Sequence, residues 1–469
     1  MKPSLWWARD RPGRSLASAW PLLLAVVGLS SPAEGARPKR YALDVRIDPD
    51  RRHLGVSGHV SVQLEKGESA FSFELHDTFH IAKCTINGEP ERCLPVQPVP
   101  EGGATLSRRI TVQLPRGVGG DPVDLEIAYA GELRDRPSWG TPGADGPFMD
   151  DAIGPDRVEL ALYSSWYPSF GFGPTYDVEV DVTVPRGWSV ACIGEEEGRQ
   201  ETAEKTTTRW TARSVNDVVI VGSPRLRSED VRTSAGRVRI SHTRLPETFL
   251  LREARETERT LGLFATLLRD SPGGRTVQHV YSPRRWGQGF ARPGLIVMSE
   301  GRVLEALEKE PETSLLYGHA HEAAHFWWRF GSGQGDWINE TFAEYFALIA
   351  IREIQGENAF RRALDERRDR VRALPPDAPA LAVVPAFSGG DGYTIRYEKG
   401  ALMLEAFRSH QGDDAFFDTC RRFYERFNGR SAGTDDFRAF WSEALKGDAP
   451  LRSWLDSSGR GPVPSREAP

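Results

Sequence analysis

Two histidines and a glutamate stand close together in the second half of the chain, in His321-Glu322-Ala323-Ala324-His325. Residues four positions apart share one face of a helix, so both imidazoles could reach a single metal ion. Zinc accepts nitrogen ligands in tetrahedral geometry, and a catalytic zinc site combines three protein ligands with water. Glu322, next to the first histidine, could take a proton from that water. The alternative is a helix that carries two structural histidines.

A second amphipathic segment follows closely, from Trp337 to Tyr345 (WINETFAEY), and it carries Glu340 and Glu344. The stretch between the two segments is rich in glycine, which is typical of a turn. Two helices joined by a short turn lie antiparallel and side by side, so a carboxylate on the second can meet imidazoles on the first. We therefore expect the third metal ligand on this segment.

Several stretches of the chain match motifs of one known family. Residues 321–328 (HEAAHFWW) are similar to its HExxH-x-W motif, and residues 337–345 are similar to its W-L-x-E-G-x-A-x-Y motif. Residues 397–400 (YEKG) are similar to its Tyr-x-Lys-Gly motif, and residues 294–296 (GLI) resemble the segment leading from its substrate-edge strand. The chain thus resembles the aminopeptidase N family of gluzincin zinc metallopeptidases.

The resemblance implies a zinc site whose ligands are His321, His325 and Glu340. The spacing that the family usually has between the second histidine and the ligating glutamate favours Glu344 as the third ligand. The Trp-x-Asn-Glu frame of the motif, however, is intact at Glu340. We therefore assign Glu340. Glu344, one turn further on the same helix face, is expected to accept a hydrogen bond from a ligating imidazole.

The resemblance also implies the catalytic groups. Glu322 would be the general base and later the proton donor to the leaving amine. Tyr397 would donate its phenolic hydrogen to the oxyanion that forms during hydrolysis. The implied cofactor is one Zn²⁺ per chain, and the implied partners are peptide or protein substrates.

The segment before Gly294 departs from the family pattern. The family carries Gly-Ala-Met-Glu-Asn there, and its Glu holds the free α-amino group of the substrate, whereas Ala291 stands at that position in this chain. We expect the backbone edge that holds the peptide to persist at Gly289, and Glu159 falls near a second amine-binding position. The first expectation is an aminopeptidase-like zinc metallopeptidase. The alternatives are an endopeptidase on the same scaffold and a binding protein that kept the fold without turnover.

The spacing of apolar residues divides the chain into two halves. From Tyr41 to about Ser223 apolar and polar residues alternate with period two, which is typical of β-strands. From Leu245 onward the period becomes helical, with short strands expected at 237–240 and within 277–297. The predicted helices are 245–269, 312–330, 337–355, 358–374, 395–410, 414–427 and a last one from Thr434.

The expected fold class is α+β multidomain. An N-terminal all-β sandwich or curved-sheet domain would precede a mainly helical, thermolysin-like zinc peptidase domain. The expected boundaries are 1–36 for a signal peptide, 37–225 for the β domain, 226–456 for the catalytic domain with its C-terminal helices, and 457–469 for a disordered tail.

The first 36 residues resemble an export signal. Basic residues precede the apolar run from Trp20 to Leu29 (WPLLLAVVGL), and small residues follow it. The run is shorter than the ~20 residues that a membrane-spanning helix needs. We expect an exported protein, periplasmic or extracellular, without a membrane span after signal removal; an uncleaved N-terminal anchor is the alternative. The net charge of −6 argues against a nucleic-acid partner bound through a basic face.

The cysteines fit an oxidising compartment. Cys84 and Cys93 flank the turn dipeptide Asn87-Gly88, and we expect them to form a disulfide. Cys192 and Cys420 are expected to be buried free thiols.

Other residues near the motifs have structural interpretations. His319 lies two positions before the first motif histidine, on a different helix face, and is expected to be structural. Trp327 and Trp328 are expected to lie in the core. Arg396 and Lys399, which flank the motif tyrosine, are expected to be solvated helix charges.

Overall fold

A computed structural model of the protein describes residues 36–90, 93–95, 107–114, 122–133, 152–171, 174–233, 237–271, 276–285, 287, 289–310, 314–386 and 388–463. The predicted signal segment, apart from its last residue, lies outside the described residues. So do residues 464–469 of the predicted tail. Within the described part of the chain, no helix has both the length and the apolar character that crossing a membrane requires.

Strands form the first half. In chain order they are β1 (Arg37–Asp48), β2 (His53–Gln63), β3 (Ala70–His76), β4 (His80–Ile86), β5 (Glu89–Pro90), β6 (Cys93–Pro95), β7 (Ser107–Gln113), β8 (Val123–Glu132), β9 (Ala152–Ile153), β10 (Val158–Leu160), β11 (Tyr176–Pro185), β12 (Ser189–Cys192), β13 (Glu195–Glu201), β14 (Lys205–Val215) and β15 (Ile220–Ser223).

Helices dominate the second half, around one further sheet. Its strands are β16 (Arg227–Arg232), β17 (Arg237–His242), β18 (Thr276–Ser282), β19 (Phe290–Arg292) and β20 (Leu295–Ser299). Its helices are α1 (Glu247–Leu268), α2 (Glu300–Lys309), α3 (Leu316–Ala324), α4 (Trp337–Gln355), α5 (Glu357–Arg372), α6 (Asp391–Tyr393), α7 (Gly400–Gln411), α8 (Asp413–Phe427), α9 (Thr434–Ala444) and α10 (Ala449–Leu455). A π-helical turn, Thr394–Lys399, joins α6 to α7.

The largest sheet has the strand order β13-β14-β11-β1-β2-β8-β4-β5, and smaller sheets β12-β15-β10-β9 and β3-β7-β6 lie beside it. Strand β1 is central, antiparallel to β2 and parallel to β11. Its side chains alternate in burial, with Tyr41, Val45 and Ile47 buried. The period-two pattern therefore gives the long strands β1, β2, β8 and β11 one apolar face each, and these faces pack into a single core.

The sheet of the second half connects the two cores. Its order is β16-β17-β18-β20-β19, with the short antiparallel strand β19 at the edge. Val280 and Val297 pack into the core of the β half, whereas Ile296 and Met298 pack into the core of the helical half. Strands of this sheet are covered on both faces, which explains why β18 is buried along its whole length.

Three helices differ from the prediction. Helix α3 ends at Ala324 and not at residue 330, because the amides of Trp327 and Trp328 turn back to the carbonyl of Ala324. Both indoles and the Phe326 ring are thereby buried in the core, as expected for the two tryptophans. The helix from Thr434 is not the last one, since α10 follows it, and α2 was not predicted at all.

The start of the predicted disordered tail is ordered. Lys399 Nζ donates to the carbonyl oxygens of Ser457 (2.6 Å) and Gly459 (2.9 Å). Val463 is buried in the core of the helical half. This segment therefore contacts the helical half, although its composition is poor in apolar residues.

The expected cysteine chemistry is present. Cys84 and Cys93 form a disulfide next to the turn at Asn87-Gly88. Cys192 and Cys420 are buried free thiols.

A buried ion pair links the two halves. Nε of Arg292, on the edge strand β19, lies 2.8 Å from Oδ2 of Asp217, which precedes β15. The other oxygen of Asp217 accepts a hydrogen bond from the Tyr167 hydroxyl at 3.0 Å. Because both charges are removed from water, each depends on the other for compensation.

We therefore expect Asp217→Asn to lower the free energy of unfolding by about 3 kcal/mol, since it leaves the Arg292 charge buried without an anion. Urea unfolding followed by circular dichroism measures the change. The control is Asp181→Asn, which removes the partner of Arg209 in an exposed pair and should cost less than about 1 kcal/mol. Equal losses for the two variants would contradict the compensation argument.

Candidate metal centre

Helices α3 and α4 bring the two motif histidines and Glu340 together. The chain between the helices reverses at Gly331, whose amide and carbonyl bond the side chain of Asn339 at 2.7 and 3.0 Å. A Cβ at Gly331 would collide with the carbonyl oxygen of Gly335. The glycine-rich turn is thus needed for α4 to return antiparallel to α3, and Asn339 fixes the start of α4 against it.

Three ligand atoms converge at this place. Nε2 of His321 lies 3.4 Å and Nε2 of His325 lies 3.6 Å from Oε2 of Glu340. Ligands bound tetrahedrally to zinc at about 2.0–2.2 Å are separated by roughly 3.3–3.6 Å, so these atoms are spaced as ligands of one ion. Oε2 of Glu340 is also buried and makes no hydrogen bond of normal geometry with the described residues. The donor set therefore fits Zn²⁺.

The Nδ1 atom of each imidazole points away from Glu340 and contacts an oxygen atom. Nδ1 of His325 lies 3.0 Å from the carbonyl oxygen of Trp328, and Nδ1 of His321 lies 3.3 Å from Oε2 of Glu344. An acceptor oxygen near each Nδ1 favours the tautomer whose lone pair is on Nε2, which faces Glu340. Glu344 thus contacts the Nδ1 side of His321, whereas Glu340 contacts the Nε2 atoms of both histidines.

Glu344 is itself held by two residues. Arg367, on α5, contacts Oε1 of Glu344 with Nε at 2.7 Å and with Nη2 at 2.6 Å. The hydroxyl of Tyr317, on α3, donates to Oε2. Burial raises the pKa of Glu344, but the Arg367 charge and the contact with His321 lower it to about 2. Glu344 is therefore an ionised carboxylate that joins α3, α4 and α5.

Glu322 lies where a general base is needed. It is buried beside the histidines, and a Cβ added at Gly289 would approach its Oε1 to 3.0 Å. Burial raises the pKa of Glu322 above its ordinary value, against the lowering effect of His321 and His325. Gly289 is therefore required by close packing against Met298, and it lies next to a carboxylate whose basicity is increased.

Tyr397 reaches the same centre from the π-helical turn. Its ring stacks on His321 with centroids 5.4 Å apart and on Tyr393 with centroids 4.1 Å apart. Thr341, on α4, donates its hydroxyl hydrogen to the carbonyl of Arg396 at 2.6 Å, which fixes the turn against the helix of Glu340. Burial raises the pKa of Tyr397 well above its usual value, so the phenol stays protonated at neutral pH and can donate.

Arg396 and Lys399 are buried, so the prediction that they are solvated charges is wrong. Nη1 of Arg396 contacts Oδ2 of Asp336 at 2.5 Å, at the start of α4. Helical spacing alone does not show this, because the partner carboxylate lies on another element.

Two further residues were predicted to bind substrate, Ala291 and Glu159. Ala291 is on the edge strand β19, where it pairs with Ile296 of β20. Glu159, on β10, is fully buried, its Oε1 lies 3.4 Å from Nε of Arg284, and its Oε2 accepts a hydrogen bond from Ser282. The carboxylate of Glu159 is thus already compensated by a charge and a hydroxyl.

Comparisons with known proteins bear on the fold of the chain. No family model matches the chain. Human aminopeptidase O is 24% identical over 178 aligned residues, which cover 30% of this chain and 22% of that protein. The match therefore extends over about a fifth of the length of that relative.

Solved structures match over nearly the whole chain. A mutant M1 zinc metallopeptidase from Deinococcus radiodurans, bound to a Tyr-Ser-Ala substrate, has a TM-score of 0.68 at 21% identity, with 92% of this chain and 97% of that chain covered. A mutant two-domain M1 zinc metallopeptidase bound to L-arginine has a TM-score of 0.72 at 22% identity, with the same coverage. The chain has the two-domain fold of the M1 zinc metallopeptidases, and the predicted α+β fold class is confirmed.

The ligand assignment can be tested by exchanging each candidate carboxylate. Glu344→Gln is expected to weaken zinc binding by about 10- to 100-fold, as removal of a hydrogen-bond partner of a ligand does. Glu340→Gln is expected to weaken zinc binding further, because it removes a ligand. Competition with a chromophoric chelator measures both affinities. The assignment is wrong if Glu344→Gln loses the metal while Glu340→Gln retains it.

Proposed function

We propose that the protein is a zinc-dependent peptidase. The observation that carries the proposal is the convergence of Nε2 of His321, Nε2 of His325 and Oε2 of Glu340, at separations suited to one ion. Glu322 lies next to these atoms, and Tyr397 is stacked on one of the ligating rings. A metal site of purely structural use would need neither group. The fold of M1 zinc metallopeptidases supports the same conclusion.

A zinc ion held by His321, His325 and Glu340 would supply Lewis-acid chemistry, polarising the scissile carbonyl and making water more acidic. Glu322 takes a proton from the attacking water and transfers it to the leaving nitrogen. The hydroxyl of Tyr397 donates a hydrogen bond to the oxygen that becomes negatively charged. The backbone at Gly289, next to Glu322, is the part of the chain that would hold the substrate.

Two modes of substrate selection fit the same scaffold. The first is an aminopeptidase mode, suggested by the motifs and by the name of the human relative. The second is an endopeptidase mode, favoured by Ala291 and by the compensation of Glu159 through Arg284 and Ser282. A substrate ammonium pairs with a free carboxylate, and neither position offers one.

We also propose that the protein acts outside the cytoplasm, with one Zn²⁺ per chain. The disulfide between Cys84 and Cys93 supports an oxidising compartment. The apolar run near the N-terminus supports export.

Replacing the base tests the catalytic part of the proposal. Glu322→Gln should lower kcat for peptide hydrolysis by about 10²- to 10⁴-fold and leave the zinc content unchanged, because the amide cannot accept the proton. Purified protein is assayed with a peptide library, and its zinc content is measured by atomic absorption. Absence of turnover by the zinc-loaded wild type, with no change in Glu322→Gln, would favour a binding protein instead.

Acetylation of the substrate separates the two modes. With Glu159 held by Arg284 and Ser282, we expect similar kcat/KM values for a peptide and its N-acetylated form. Ala291→Glu, which restores a carboxylate on the edge strand, should create a preference for the free amine. Complete loss of cleavage on acetylation in the wild type would establish the aminopeptidase mode.

A further inference from the structure

A second group of histidines and a glutamate lies inside the helical half, on the other side of α3. Nδ1 of His319, on α3, is 2.6 Å from Oε2 of Glu253, on α1. Nδ1 of His279, on β18, is 3.0 Å from Oε1 of the same carboxylate. All three side chains are buried. One carboxylate thus connects three elements of the fold.

These three residues could also hold a metal ion, but their short separations favour an ion-paired cluster. Separations of 2.6 and 3.0 Å are those of charge-assisted contacts, whereas ligands of one tetrahedral zinc ion lie roughly 3.3–3.6 Å apart. The far nitrogens are also engaged. Nε2 of His319 is 3.2 Å from the Tyr281 hydroxyl, and Nε2 of His279 is 3.2 Å from the Thr257 hydroxyl. Each ring therefore contacts the Glu253 carboxylate through Nδ1 and a hydroxyl through Nε2.

The carboxylate is ionised. Burial raises the pKa of Glu253, but the imidazoles of His319 and His279 lower it, to about 2. Replacing the charge by a neutral amide would remove the anion that both Nδ1 atoms contact. An amide of the same shape also offers only one acceptor oxygen to two rings.

Helix α3 is short and depends on neighbouring elements for its orientation. It spans Leu316–Ala324 and has no side-chain N-cap. Tyr317 and His321 connect it to Glu344 of α4, and His319 connects it to Glu253 of α1. Rotation of so short a helix about its axis would displace every side chain on it. The two carboxylates therefore hold α3 from both sides.

We propose that Glu253 is a positioning residue for the metal centre: through His319 it fixes the rotation of α3 and hence the place of His321 Nε2 and Glu322. The inference rests on the proposed zinc site. Glu253 touches neither a ligand nor the base, so its effect must pass through the helix. Its removal should alter the geometry and affinity of the metal site, beyond any loss of stability.

The test compares Glu253→Gln with Glu300→Gln. Glu300 is an equally buried carboxylate that bonds the amides of Thr243 (2.7 Å) and Arg244 (2.9 Å), away from α3. Zinc affinity is measured by chelator competition, ligand geometry by the visible spectrum of the cobalt-substituted protein, and stability by thermal unfolding. Glu253→Gln should weaken zinc binding about tenfold and change the cobalt spectrum. Glu300→Gln should lower stability but leave both metal readouts unchanged.

A gentler pair of variants remains informative if Glu253→Gln does not fold. Tyr281→Phe removes the hydroxyl at His319, which is on α3, and should weaken zinc binding measurably. Thr257→Val removes the hydroxyl at His279, which is not on α3, and should not. The inference would be overturned if Glu253→Gln and Glu300→Gln bound zinc equally well and Tyr281→Phe and Thr257→Val did so too. So would a second zinc equivalent in the wild type that Glu253→Gln loses. A wild type that binds no zinc would refute the proposed function itself.

Discussion

The contact between Glu344 and His321 is the interaction on which the rest of the site depends. A buried carboxylate is costly unless cations and hydrogen-bond donors compensate it, and Arg367 and Tyr317 provide both. With these partners the carboxylate can face Nδ1 of His321, so that Nε2 is left to meet Glu340. The helices α3, α4 and α5 are therefore arranged around one charge before any substrate arrives.

Buried polar groups of this kind are weak sources of stability, because desolvation offsets much of their attraction. Their main effect is to fix the orientation of the side chains and helices that they connect. Apolar side chains pack in several ways at similar cost, whereas a carboxylate between two donors accepts few orientations. The fold uses this property on both faces of α3 and again at Asp217, where the edge strand β19 meets the β half. At each of these places a small rotation would displace atoms of the proposed site.

The motifs predicted the groups that are local in sequence. His321, Glu322 and His325 lie on one short segment, and Glu340 follows after a single turn, so spacing and frame are enough to bring them together. Arg367, Glu253 and Asp336 were not predicted as parts of the site, since each meets its partner from another element. On a helix such as α5, which is rich in arginine, nothing in the periodicity separates the buried Arg367 from its solvated neighbours.

The fold shows the same division. Alternation predicted the β half, although not the bounds of its separate strands, and helical spacing predicted both ends of α4. The short helices α2 and α10 carry too few turns for a periodic signal. The end of α3 was placed too late because three consecutive aromatic residues fit a helical pattern, whereas burying all of them requires the chain to turn.

The parallel pairing of β1 with β11 has a kinetic consequence. Arg40 pairs with Asp177, so one of the two partners of β1 lies far from it in sequence. Long-range pairing of this sort slows folding, because the chain loses loop-closure entropy before the new contacts stabilise it. Helices α3 and α4, by contrast, are neighbours in sequence and can associate early. The order of assembly should therefore run against the order of synthesis, with the metal-site hairpin formed before the sheet at the front of the chain is complete.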